Sequence, residues 1–154
     1  MRERYYWYLN TEANRFGGKS PDAQWLQHGR AFVSGHGDAR KLQRLAAGDI
    51  CFMYANTQGV VAVGRVLEPC DGHPSQPLLV YPYDPAYPEY SARMSWFLTF
   101  RHNPIPPWKL RKITGSIARQ AVQRIADAAA GALLVRRAHQ HAHYRRREPQ
   151  GRPR

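Results

Sequence analysis

From Arg4 to Leu9 the chain is aromatic and alternates, with Tyr5, Trp7 and Leu9 facing one way and Tyr6, Tyr8 and Asn10 the other, which predicts a first β-strand. Asn14, Gly17 and Gly18 interrupt it. Ser20-Pro21-Asp22 then reads as a helix start, a capping hydroxyl followed by proline, for a short helix that carries Trp25 and Leu26 and stops near Gly29. Arg30 to Ser34 predicts a second strand. Asp38 predicts the cap of a second helix, in which Leu42, Leu45 and Ala46 make one stripe and Gly48 ends it. Two apolar runs, Ile50 to Ala55 and Val60 to Leu67, flank Asn56-Thr57-Gln58-Gly59 in the pattern of a hairpin.

Residues 68–91 are rich in proline and tyrosine, and Leu78 to Tyr81 is the stretch there that resembles a strand. Arg93 to Arg101 sets Met94, Trp96, Leu98 and Phe100 against Arg93, Ser95, Phe97, Thr99 and Arg101, predicting a strand laid on a core. Pro104-Ile105-Pro106-Pro107 ends it. Trp108 to Ile113 reads as a basic turn, and Gly115-Ser116 as the cap of a helix through Ile117, Ala121, Ile125, Ala128 and Ala132. Six strands or so with three or four helices make one α+β domain, built on a small curved sheet or open barrel.

Composition narrows the class. Hydrophobic residues are 43% and aromatics 12% of the 154 residues, too many for a disordered chain. The apolar stretch from Ala128 to Val135 is far short of the roughly 20 residues of a membrane span, and the opening residues lack a secretory signal pattern. A cytoplasmic protein without membrane contact is expected. Cys51 and Cys70 form neither a disulfide framework nor a zinc spacing.

Charge adds a partner class. The chain carries 23 Lys and Arg against 11 Asp and Glu, a formal +12, of which half lies in residues 136–154 with their seven arginines and one glutamate. Residues 1–135 are therefore expected to be the domain and 136–154 a solvated, frayed basic tail that adds salt-sensitive affinity for nucleic acid. His139, His141 and His143 alternate there, but a flexible segment gives them no scaffold, and no metal is expected.

The run Gly48-Asp49-Ile50-Cys51-Phe52-Met53-Tyr54-Ala55-Asn56-Thr57-Gln58-Gly59-Val60-Val61-Ala62-Val63-Gly64-Arg65-Val66 resembles the Gly-Asp strand and hairpin of the PUA-like superfamily, and within it EVE and YTH domains. Tyr6 to Asn10, Gly29 to Ser34, Ser95 to Phe100 and Ile113 to Gln120 follow in the matching order, so the resemblance covers roughly residues 4–126. It implies a reader of DNA or RNA that holds a flipped modified base, a methylated or hydroxymethylated cytosine or a methylated adenine, in an aromatic pocket. No cofactor and no catalysis are implied, and a nuclease or other effector protein is a possible further partner.

Carried over position by position, the resemblance puts Asn10 and Thr11 at the base edge and Phe32-Val33-Ser34 where YTH domains hold a cage tryptophan before a small hydroxyl residue. Either the wall is thinner there, or Trp25 from the preceding helix substitutes for that tryptophan. A second cage aromatic is expected among Tyr81, Tyr83, Tyr87 and Tyr90, with Tyr83 and Tyr87 in front, and Tyr54 completes the wall. Lys19, Arg30, Lys41, Lys109, Arg111 and Lys112 are the candidate phosphate contacts. Ordinary packing competes for each aromatic, most strongly for Trp7 and Trp96. The rival reading is an ASCH-like ribonuclease, sharing the superfamily architecture, with His36, His73 or His102 and Lys19 or Lys41 as acid or base. G-x-S-x-G, a P-loop and H-E-x-x-H are absent from the sequence.

Overall fold

A computed structural model describes residues 3–12, 21–74 and 86–147, with the backbone alone for 144–147. Its elements in chain order are β1 (Tyr6–Asn10), α1 (Asp22–His28), β2 (Arg30–Ser34), α2 (His36–Leu42), β3 (Ile50–Ala55), β4 (Gly59–Glu68), β5 (Glu89–Thr99), α3 (Pro107–Thr114), β6 (Val122–Ile125) and α4 (Ala128–Arg147). The strands form one sheet in the order β2-β5-β4-β3-β1-β6, curled into a half-barrel, with β1 and β3 parallel and every other pair antiparallel. This is the expected α+β architecture.

Both faces of the sheet are covered, which is why β3, at its centre, is buried at all six positions and shows no alternation. Trp7, Leu9, Cys51 and Met53 face a core closed by Trp25 of α1 and Leu42 of α2. Tyr8, Phe52 and Tyr54 face a second core, closed by Leu110 of α3 and by Leu134 and Ala138 of α4. Gly131 is required where α4 meets β1, since a Cβ there would lie 2.4 Å from Cγ of Tyr6.

Asp49 ties these parts together. Its Oδ1 accepts the Tyr5 N–H, and its Oδ2 accepts both the Trp7 indole N–H and the Ala46 N–H, all at 3.0 Å. α2 ends at Leu42 rather than running on to Gly48: the Arg44 and Leu45 amides tighten to the Lys41 and Leu42 carbonyls, and the Ala46 amide then turns to the Asp49 carboxylate. Leu45 stays buried without being helical.

Three further expectations are corrected. In β5, Leu98 pairs with Val63 but Trp96 with Gly64, leaving Phe97 as a bulge, 42% exposed. Met94 and Trp96 therefore face the first core and Leu98 and Phe100 the second, so the two-residue period across 93–101 does not mark one face. The helix expected through Ile117, Ala121 and Ile125 is instead a loop and β6, because β1 offers a free edge: Val122 pairs with Leu9 and Ile125 with Tyr6. Gln123 pins the loop through the Arg119 N–H and the Ile117 carbonyl, both at 2.9 Å. The basic turn at 108–113 is the helix α3, with Pro107 in its first turn.

The boundary expected after residue 135 falls inside α4. Asp127 caps that helix through the N–H groups of Ala129 and Ala130, and buried Ala138 anchors it beyond Val135. His139 stacks on Phe97, and His141 bonds the Asn103 carbonyl at 2.5 Å. Residues 136–142 thus pack against the sheet's second core rather than fraying, and α4 runs on to Arg147; residues 148–154 lie outside the described residues, as does the strand expected at 78–81.

Asp49→Ala should lower unfolding free energy by about 2–3 kcal/mol, since it leaves the buried Trp7 indole N–H and two part-buried amide N–H groups without their acceptor; urea denaturation measures it, and a loss below about 1 kcal/mol would deny Asp49 this role. Tyr8 generates a second expectation. Burial pushes its phenol from 10.0 up to about 12, against a 2.7 Å hydrogen bond with Thr114 that favours the phenolate. A raised folded pKa means that the Tyr8 contribution is complete below pH 10 and lost as pH rises from about 10 to 12. Stability against pH should fall across that window, and Tyr8→Phe should flatten this part of the fall.

Candidate nucleic-acid interface

The parallel strands β1 and β3 end together in an ordered turn. The Thr11 N–H bonds the Tyr54 carbonyl at 2.9 Å, and Asn10 Oδ1 accepts the Glu12 N–H at 2.8 Å, holding Glu12 at φ 53°. Thr11 is left fully buried, and Asn10 nearly so. The chain returns at α1, where Asp22 and Trp25, three residues apart and therefore on one helix face, are also buried. Asp22 Oδ2 accepts the Arg101 Nε–H at 2.5 Å, so α1 is fastened to the chain leaving β5.

Trp25 lies between Phe32, at 6.4 Å between ring centroids, and Trp96, at 6.2 Å. Trp96 is itself held by an indole hydrogen bond to the Arg30 carbonyl at 3.1 Å and by close approach to Gly64, where a Cβ would come within 2.5 Å of its ring. Among the described residues three buried side-chain atoms have no hydrogen-bond partner: Thr11 Oγ1, Asp22 Oδ1 and Trp25 Nε1. Each such atom costs about 1–3 kcal/mol, and native structures hold few of them. Together they offer a donor, an acceptor and a hydroxyl that can be either, on residues that bracket the 13–20 connection.

The expected pocket residues are brought together only in part. Trp25 and Phe32 are fully buried and present no open face for stacking. Tyr54 is the clear correction: it points into the second core, edge-on to Tyr8, because β3 alternates and its neighbours Met53 and Ala55 take the Trp25 side. Burial pushes the Tyr54 phenol up, while Arg111 pulls it back. Asn10 spends its carbonyl oxygen on the turn. Ser34, half-buried, ends β2; Tyr87 is 52% exposed and lies against Gly35; Tyr90 is buried and hydrogen-bonded to His36 Nδ1. Tyr81, Tyr83 and Lys19 lie outside the described residues.

The expected phosphate contacts separate into places. Lys109, Arg111 and Lys112 share α3. Arg30 on β2 donates to Ser91 Oγ at 3.0 Å, and Lys41 on α2 donates to Gln120 at 3.1 Å. His36, His73 and His102, the candidate acids and bases, stand on separate segments: at the start of α2, after β4 and after β5. Asp22 and Arg101 were not singled out by the sequence, where Asp22 reads as the ordinary acidic residue of a first helical turn and Arg101 as the solvent phase of a strand.

No family model matches the chain, and no curated protein matches it in sequence. Solved structures do. A complex of the YTH domain-containing protein mmi1 with RNA superposes with a TM-score of 0.64 at 12% identity, covering 93% of this chain and 86% of that one. The Toxoplasma CPSF4-YTH domain in apo form gives 0.61 at 16% identity, covering 89% and 87%. Human THYN1 in complex with 5-methylcytosine-containing DNA gives 0.51 at 15% identity, covering 85% and 96%. With six strands in this order and helices on both faces, the chain has the YTH/EVE-type fold.

Proposed function

We propose that the protein is a nucleic-acid-binding domain that reads a modified base, taking the extruded base at the Thr11–Asp22–Trp25 site. The observation that carries the reading is the set of three buried polar atoms without partners. A nucleobase edge presents amino donors and ring or carbonyl acceptors, which an Asp22 oxygen, a Trp25 N–H and a Thr11 hydroxyl complement. The Trp25 ring packs against Phe32 and Trp96, so a methyl group on a base admitted beside Trp25 gains apolar contact. Two supports lie outside the site: the solved structures of this fold include complexes with RNA and with methylcytosine DNA, and a formal charge of +12 favours a polyanion.

Extruding a base from a duplex costs a few kcal/mol, which phosphate contacts and stacking offset. Admission of the base requires Trp25 and Phe32 to yield from their packed positions. For that reason alanine at either position is an unsuitable test: it opens a core cavity costing about 3–5 kcal/mol whatever the ligand.

Thr11→Val avoids this difficulty because the shape of the side chain is kept. In the free protein the change removes an unpaired buried hydroxyl and should raise unfolding free energy by about 1 kcal/mol, read by urea denaturation. A fall in stability would mean that the hydroxyl is already satisfied in the free protein.

The ligand is identified with DNA and RNA oligonucleotides that differ at one base: cytosine, 5-methylcytosine, 5-hydroxymethylcytosine, adenine or N6-methyladenine, at fixed salt. Wild type should favour one modified base by about tenfold or more, and Thr11→Val should lose that preference while keeping its salt-dependent background binding. Equal affinity for every base, or an unchanged preference in Thr11→Val, would overturn the assignment. Substrate recovered unaltered after long incubation agrees with a reader; cleaved product would point to the ribonuclease alternative.

A further inference from the structure

The far face of the domain carries a second feature that the base site does not use. Between α3 and α4 runs an open groove of about 510 Å³, within the size range of ligand sites. Ile113 and Leu133 contribute an apolar lining, and Trp108, Lys109, Lys112 and Arg137 stand around it. Trp108 is 59% exposed, more than any other large hydrophobic residue among those described, at the first turn of α3. Lys112 Nζ sits 5.3 Å from the centre of its ring. The groove lining holds three fixed positive charges and no carboxylate, and Gln140, which also borders it, is already engaged by Arg137 at 3.3 Å.

An exposed indole flanked by lysines and an arginine is the combination that binds single-stranded nucleic acid: the ring stacks a base and the cations take the neighbouring phosphates. Apolar lining by itself would suit a protein segment equally, but three cations without a carboxylate select a polyanion. We infer that the α3–α4 groove is a second contact for single-stranded nucleic acid, with one base on Trp108 and phosphates on Lys109, Lys112 and Arg137. It rests on the nucleic-acid reading above and deepens it. Trp25 and the groove lie on opposite faces of the sheet, so one strand that reaches both sites must pass around the domain edge. The groove contact is indifferent to base modification, because every base has a face to stack.

The test uses the full chain and a fluorescein-labelled, unmodified single-stranded 12-mer, with anisotropy measured over a series of salt concentrations. Trp108→Ala should weaken binding about tenfold, and Trp108→Phe should restore most of it, since a smaller ring still stacks. Lys112→Ala combined with Arg137→Ala should lower the slope of log K against log salt by about two charges' worth. Thermal melts of these surface variants should match wild type. If Trp108→Ala binds the 12-mer as wild type does, or if an oligoglutamate competes for the groove as well as the 12-mer at equal charge, the inference is overturned. Failure of the two sites is separable. Loss of modified-base preference in Thr11→Val with Trp108→Ala neutral would leave the base site and remove the groove; the reverse pattern would leave the groove and remove the base site.

Discussion

One buried carboxylate sets the frame on which the rest is hung. Asp49 immediately precedes β3 and takes hydrogen bonds from Tyr5, Trp7 and Ala46, and so holds β1 alongside β3 in parallel register and ties the segment after α2 to the same point. Parallel strands have no tight turn to align them, and 39 residues separate the end of β1 from the start of β3. A carboxylate that accepts from one buried and two part-buried N–H donors is a strong local substitute for that missing turn. Once β1 is placed, its outer edge recruits β6, and the ends of β1 and β3 present Asn10 and Thr11 together.

The two cores then divide the labour. On one side α1 and α2 cover the sheet, and the Trp25 ring packs against Phe32 and Trp96. On the other, α3 and α4 close over Tyr8, Phe52 and Tyr54 and leave a basic groove between them. The bulge at Phe97 lets a single long strand, β5, serve both cores, since it reverses the side-chain phase between Trp96 and Leu98.

Much of this was legible in the residues. The hairpin at 56–59, the short helix after Pro21, the edge strand Arg30–Ser34 and the Gly48-Asp49 run are each readable because turn residues, proline and glycine act locally, whereas Asp38, expected as a cap, lies within the first turn of α2 behind Gly35. The order of those segments also carried the resemblance to EVE and YTH domains. The site was less legible. The sequence does not show that Tyr54 faces the core opposite Trp25, and the contact of Asp22 with Arg101 is invisible in it, because their meeting joins residues 79 positions apart.

The sequence by itself determined where strands and helices could begin and end, that the chain is strongly basic, and that aromatic side chains dominate its interior. Tertiary structure alone decided which of two faces each side chain serves. A period of two cannot show where a bulge reverses the phase, as at Phe97, nor which core a doubly covered strand turns its tyrosine toward, as at Tyr54. Strand pairing also overrode local pattern at Val122–Ile125, where the spacing of Ile117, Ala121 and Ile125 suits a helix but the free edge of β1 supplies backbone partners. The same holds for residues 136–147, polar enough to read as a solvated arm, which become helix because Leu134 and Ala138 find a buried surface that exists only after the sheet has formed.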